Sequence, residues 1–156
     1  MRQLLVVILV GICITWMACP FHSKISLCEG KMEKVDKGML GKWGSSINPK
    51  LYYYISQLSD NTYEILEVGN VPDSTKYFMY TTTIGGTQFA QIFEKEDMFN
   101  YYSLDFNSRV SQINLRSVSE SIPDNFSDSD DMRKYFKKHK VYDYFFDSTV
   151  DVYLRK

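Results

Sequence analysis

Lys37-Gly38-Met39-Leu40-Gly41-Lys42-Trp43 is the stretch of sequence that decides the fold, because the residue pattern changes there. Residues 19–37 before it carry many charges and show no sustained helical or strand period, which favours a spacer. After it, short alternations of apolar and polar residues are separated by turn residues, which is typical of strands and hairpins. The sequence therefore predicts a tether over 19–37, with or without a lipid, and one β domain over 38–156.

The β domain is predicted to contain seven strands before a helix and one strand after it. The predicted strands are 42–47, 51–58, 63–68, 76–84, 87–94, 99–106, 109–118 and 150–155. Gly85-Gly86 has the composition of a two-residue hairpin, and other connectors contain Asn, Asp, Ser and Pro. Because the turns recur about every ten residues, we expect an antiparallel up-and-down meander that closes into a barrel of about eight strands.

One helix is predicted shortly before the last strand. Ser127 is a candidate N-cap, acidic residues follow it, and lysines gather at the other end, which suits the helix dipole. An apolar stripe that can lie against a sheet is formed by Met132, Tyr135, Phe136 and His139. Residues 142–146 are expected to return to extended chain.

The first 18 residues have the layout of a cleaved signal peptide. Arg2 supplies a positive start, and residues 4–14 form an uninterrupted apolar run. This apolar segment is shorter than the ~20 residues that span a bilayer, which favours cleavage over a retained anchor. Ala18-Cys19 resembles a bacterial lipobox, although Trp16 and Met17 depart from its usual residues. The resemblance implies that Cys19 is lipidated and that the protein is an outer-membrane lipoprotein of the cell envelope; an ordinary cysteine in a secreted or periplasmic protein is the alternative.

The order of elements resembles that of a lipocalin-like (calycin) domain of the kind carried on bacterial lipoproteins. Gly41-Lys42-Trp43 is similar to the Gly-x-Trp motif of the first strand in that family. The resemblance implies that Trp43 plugs the closed end of a barrel, with Gly41 part of the same motif. It also implies that a basic residue of the last strand, Arg155 or Lys156, packs over the indole, a contact that stabilises by roughly 0.5–2 kcal/mol.

The three cysteines of the sequence are Cys13, Cys19 and Cys28. All three precede residue 38, so a disulfide framework in the β domain is excluded. Cys28 is expected to be an incidental thiol in the tether, and pairing with another chain is the alternative.

Two neighbouring predicted strands carry the candidate ligand-binding residues Tyr77, Thr81, Phe89 and Gln91. Aromatic and polar side chains of this kind can hold a small amphipathic ligand inside a barrel. The alternative is that a small eight-stranded barrel fills its lumen with its own side chains.

A second function class follows from the tyrosines, all 12 of which come after Trp43. The run 51–55 places Tyr52 and Tyr54 on one face of a strand and Tyr53 on the other, so at least one ring faces outward. An accessory subunit of an envelope complex, with a filled barrel and an aromatic outer surface, is therefore the alternative to a ligand carrier.

Other classes of function receive no support from the sequence. The formal net charge is −1, so no basic field favours nucleic acid. The sequence has two histidines, His22 and His139, and shows no nucleophile elbow, phosphate-binding loop or metal-ligand spacing. We therefore expect a non-enzymatic domain with no cofactor and no metal, which contacts a membrane only through its N-terminal lipid.

Overall fold

A computed structural model of the chain describes residues 21–69 and 74–156. The predicted signal peptide and Cys19 lie outside the described residues. The strands are β1 His22–Ser23, β2 Gly41–Ser45, β3 Tyr52–Gln57, β4 Tyr63–Val68, β5 Thr75–Ile84, β6 Thr87–Phe93, β7 Phe99–Asn107, β8 Gln112–Ser117 and β9 Asp151–Arg155. The predicted strands 42–47 through 150–155 match β2 to β9 to within three residues at each end.

Strands β2 to β9 form a closed antiparallel barrel. Each pairs with its neighbours in chain order, and β9 closes the ring by pairing with both β8 and β2. The Gly85-Gly86 hairpin has φ values of 56° and 81°, a left-handed conformation that glycine adopts without strain. The predicted fold class, mainly β with an up-and-down barrel and one helix before the last strand, is confirmed.

Helix α1, Ser129–His139, lies against the outside of the barrel. Its N-cap is Asp128, whose carboxylate accepts a hydrogen bond of 2.8 Å from the Asp131 amide, so the predicted cap at Ser127 is wrong by one residue. Asp128 directly follows Ser127 and is also a preferred N-cap residue. It takes the N-cap position because its carboxylate is placed to accept from the amide of the third helical residue, Asp131. The predicted extended segment 142–146 is also wrong, since Asp143–Phe145 forms one turn of 3₁₀ helix.

The described residues bury apolar side chains in two places. The first is the barrel lumen, around Trp43, Ile65 and Leu104. The second, here called the outer core, lies between α1 and the outer faces of β5, β6 and β7; it includes Phe21, Leu27, Phe89, Phe93, Tyr101, Met132, Phe136 and Phe145. The sheet is therefore buried on both faces at β5 to β7.

The N-terminal segment, residues 21–37, packs on the barrel and is not a spacer. Phe21, Leu27 and Cys28 are buried in it. The strand β1 pairs with the start of β7, and Lys37–Met39 forms a 3₁₀ turn before β2. The predicted tether is thus wrong from Phe21 onward, because a few apolar groups spaced irregularly among charges are enough to dock a segment that has no period of its own.

In the ranges 21–69 and 74–156 no helix is long and apolar enough to cross a bilayer.

Candidate functional site

Trp43 closes one end of the barrel. Its side chain is buried, and its indole nitrogen Nε1 donates a 2.8 Å hydrogen bond to the Met39 carbonyl, which ties the 3₁₀ turn under the lumen. The guanidinium carbon of Arg155 lies 5.0 Å from the centre of the Trp43 ring. Gly41 adopts φ 127°, a backbone conformation that residues with a side chain rarely adopt, so glycine suits the start of β2.

Above Trp43 the lumen contains a cavity of about 230 Å³. The side chains nearest the closed end are apolar and include Met39, Ile55, Ile65, Met79 and Leu104. The lumen is therefore not completely filled by the protein's own side chains. A volume slightly below the usual ~300 Å³ of small-molecule sites suits a compact ligand.

The opposite end of the cavity, here called the mouth, combines aromatic and acidic side chains: Tyr53, Glu67, Tyr77, Tyr102, Asp151 and Tyr153. Strand register explains their meeting. Tyr53 pairs with Glu67 across β3 and β4, and Asp151 lies two residues before Tyr153 on the same face of β9. The Tyr53 and Tyr153 rings meet edge to face, with centroids 5.3 Å apart.

Burial shifts the pKa values of Asp151 and of the four tyrosines at the mouth. It raises the pKa of the Asp151 carboxyl above its ordinary value. Burial, reinforced by the charge of Asp151, raises the pKa of Tyr102 to about 12. The pKa values of Tyr53, Tyr77 and Tyr153 are also raised, chiefly by burial and then by neighbouring acids or tyrosines. The tyrosines therefore stay neutral at physiological pH, and their hydroxyls remain hydrogen-bond donors.

A second depression of about 270 Å³ adjoins the mouth at Tyr77. It lies at the β6–β7 connection and is lined by Glu94, Lys95, Asp97, Met98 and Asn100 in addition to Tyr77. Two acids and one lysine make its lining net negative.

The four ligand-binding candidates that were predicted from the sequence lie on two different faces of the sheet. Tyr77 lines the cavity, and Thr81 lies on the same face of β5, fully buried but outside the cavity lining. Phe89 and Gln91 lie on the other side of the sheet: the Phe89 ring packs 5.4 Å from that of Phe136 on α1. The oxygen Oε1 of Gln91 accepts a 2.8 Å hydrogen bond from the Leu27 amide.

Register explains this separation. Thr81 pairs with Ala90, so the residues of β6 that share the face of Tyr77 and Thr81 are Ala90 and Ile92. Because both faces of β5 and β6 carry buried apolar residues, alternation alone does not identify the inner face.

Sequence reasoning missed Glu67 and Asp151. Strand β4 reads Tyr63, Ile65, Glu67 along its inner face, so an acid following two apolar residues with a period of two was a usable signal. Asp151 begins β9 and shares the inner face with Tyr153, two residues later, which is a weaker signal of the same period.

The site can hold a cation, because the carboxylates of Glu67 and Asp151 lie beside aromatic rings in the lining of one cavity. Among residues 21–69 and 74–156 there is no group of three or more His, Cys, Asp or Glu side chains placed to hold a metal ion.

No family model, curated protein or solved structure matches this chain.

Proposed function

We propose that this chain is an exported, lipid-anchored, non-enzymatic binding protein that holds a small amphipathic ligand in a lipocalin-like barrel. One observation carries the proposal: the lumen retains a cavity of about 230 Å³ that is apolar near Trp43 and polar at its mouth. An apolar floor with a few polar groups at the rim is the arrangement of small-molecule sites, in which apolar area supplies affinity and polar groups fix orientation.

The position of the N-terminal segment supports an anchor close to the mouth. Strand β1 pairs with Phe99 and Asn100, and the Phe21 amide donates a 2.8 Å hydrogen bond to the Val118 carbonyl. These partners lie at the mouth end of β7 and just after β8. Cys19 is two residues earlier, and two residues span at most about 7 Å. A lipid on Cys19 would therefore hold the mouth near the membrane surface.

Native mass spectrometry tests the ligand. The full chain is expressed in a bacterial host, purified from the envelope in mild detergent, and its native mass is compared with its denatured mass. We expect a bound species of small mass that is lost on denaturation. An apo mass that remains unchanged after incubation with an extract of envelope small molecules would contradict the proposal.

The anchor needs its own test. We expect the N-terminal peptide of the mature protein to begin at Cys19 and to carry the mass of acyl chains, and Cys19→Ser to move the protein to the soluble fraction. A mature chain with an unmodified Cys19 would contradict lipidation and leave the ligand proposal standing.

Exposed rings support the accessory-subunit role as a second candidate. Tyr142 and Tyr144 stack with centroids 5.7 Å apart, and both side chains are about half exposed beside Val141. If this surface carries the function, Tyr142→Ser with Tyr144→Ser abolishes a specific cross-linked complex in intact cells. If the lumen carries it, the pair of changes leaves the bound small molecule in place.

A further inference from the structure

The charges that face the cavity are of one sign. Within residues 21–69 and 74–156, the side chains that line it and carry a formal charge are Glu67 and Asp151, and no lysine, arginine or histidine of these ranges is among the lining residues. The side chains around these two acids are neutral tyrosines, whose hydroxyls can donate hydrogen bonds, and aliphatic residues, so the surrounding cavity wall does not cancel their negative charge.

Neither acid is neutralised by a cation of the described chain. The ion pairs found in 21–69 and 74–156 are Lys31–Asp130 and Lys76–Glu64, both on the outer surface. Arg155, the basic residue closest to the floor, donates hydrogen bonds to the Gly38 and Leu40 carbonyls and lies over Trp43. The positive charge of Arg155 thus lies at the closed end of the barrel, where these two carbonyls and the Trp43 ring contact it.

The neighbouring depression extends this negative region outward. Tyr77 lines both depressions, with Glu67 in the lining of the first and Glu94 in the lining of the second, so acids lie on both sides of this residue. A ligand that enters past Tyr77 meets negative charge before it reaches the cavity, which attracts cations and repels anions.

We infer that the ligand is a small organic ammonium ion, with its charged group between Glu67 and Asp151 and its apolar body next to Trp43. This inference rests on the proposed function and specifies its ligand class. The carboxylates supply charge-assisted hydrogen bonds to the ammonium group. The four tyrosines of the mouth supply ring faces and hydroxyls around it, and the floor of the cavity excludes water from the body.

The test compares ligands that differ in the head group alone. Isothermal titration calorimetry of the full chain at pH 7 uses two matched series: hexylammonium, hexan-1-ol and hexanoate, and then phenethylammonium, 2-phenylethanol and phenylacetate. We expect at least one ammonium ion to bind about tenfold or more tightly than its neutral partner, and the carboxylates to bind more weakly still.

Variants locate the ammonium group. Glu67→Gln and Asp151→Asn, singly and together, are expected to weaken binding of the ammonium ion by about tenfold or more and to leave binding of the alcohol unchanged. Glu64→Gln is the matched control, because Glu64 lies on the same strand with its carboxylate on the outer surface. The single variants keep the test usable if the double variant does not fold.

Three results would overturn the inference: in both series an alcohol or a carboxylate that binds as tightly as its ammonium partner, ammonium binding that is insensitive to both acid substitutions, or no binding in either series. The native mass separates this failure from failure of the proposed function. A neutral or anionic molecule that copurifies with the protein refutes the ammonium ion and keeps the carrier, whereas an apo mass together with no binding refutes both.

Discussion

Arg155, at the end of the last strand, covers the indole of Trp43 on the first barrel strand, with its guanidinium carbon 5.0 Å from the ring centre. The same guanidinium donates hydrogen bonds to the Gly38 and Leu40 carbonyls, the latter at 3.0 Å. Arg155 also pairs with Trp43 through the backbone register of β2 and β9. One side chain thus joins the 3₁₀ turn, the plug of the lumen and the strand pair that closes the barrel.

Arg155→Met is expected to lower the free energy of unfolding by about 1–2 kcal/mol, because a cation–π contact and charge-assisted hydrogen bonds are lost at a partly exposed site. Urea denaturation followed by circular dichroism measures this. Arg155→Lys should recover part of the loss, since it keeps the charge without the planar fork. A methionine variant as stable as the parent would show that strand pairing alone closes the barrel.

Gln91→Met is expected to destabilise the protein by about 1–3 kcal/mol. The substitution keeps the volume of the side chain but removes the acceptor of the buried Leu27 amide, which then has no partner. Denaturant unfolding gives the loss, and limited proteolysis should show faster cleavage within 21–37. Gln57→Met, on an exposed position of β3, is the control and should change stability little.

Cys28 is expected to resist alkylation by iodoacetamide at pH 8 in the folded protein and to react fully in urea. The side chain is buried, and burial raises the pKa of the thiol to about 12, so almost no thiolate is present. Peptide mass mapping separates this residue from Cys13 and Cys19. Rapid labelling of Cys28 under native conditions would mean that the N-terminal segment detaches readily from the outer core.

Much of the barrel could be predicted from the sequence, because residues that favour turns mark the ends of the strands. Gly85-Gly86 marks the hairpin between β5 and β6 whatever the strands contain. Trp43 and the basic residue near the C-terminus could be paired in advance because the family resemblance assigns them one contact. These features depend on local sequence or on a short motif.

The candidate site was harder to predict from the sequence, because it depends on strand register and on which elements cover the sheet. Phe89 and Gln91 look like lumen residues until α1 and the N-terminal segment bury the outer face of β6. Leu27 and Cys28 give no periodic signal that would predict their burial. Glu67 and Asp151 line one cavity because β9 closes the barrel between β8 and β2, a long-range pairing that no local pattern encodes.

Asp151→Asn is expected to raise stability at pH 7. Because burial raises the pKa of Asp151 in the folded state, the folded protein holds this proton more tightly than the unfolded chain, whose value is near 3.8. The contribution of the Asp151 carboxyl to the free energy of unfolding is therefore fully present below about pH 3.8, where the group is protonated in both states. It is lost as the pH rises through the pKa of the folded state. Thermal unfolding of the two proteins should give a difference at pH 7 that shrinks toward pH 3. Asp147, whose pKa is also raised, is present in both proteins, so its contribution cancels when their stabilities are subtracted.

Ile65→Phe is expected to fill the cavity, stabilise the protein by about 0.5–2 kcal/mol and abolish ligand binding. Ile65 lines the cavity from the inner face of β4, two residues before Glu67, so the larger ring projects into existing free volume, where overpacking does not arise. Leu66→Phe places the same ring on the outer face of the same strand and should leave binding unchanged. Unfolding midpoints give the first effect, and the native mass gives the second. If Ile65→Phe still carries the small molecule while Leu66→Phe loses it, the ligand occupies the outer surface of the sheet and the lumen is not its site.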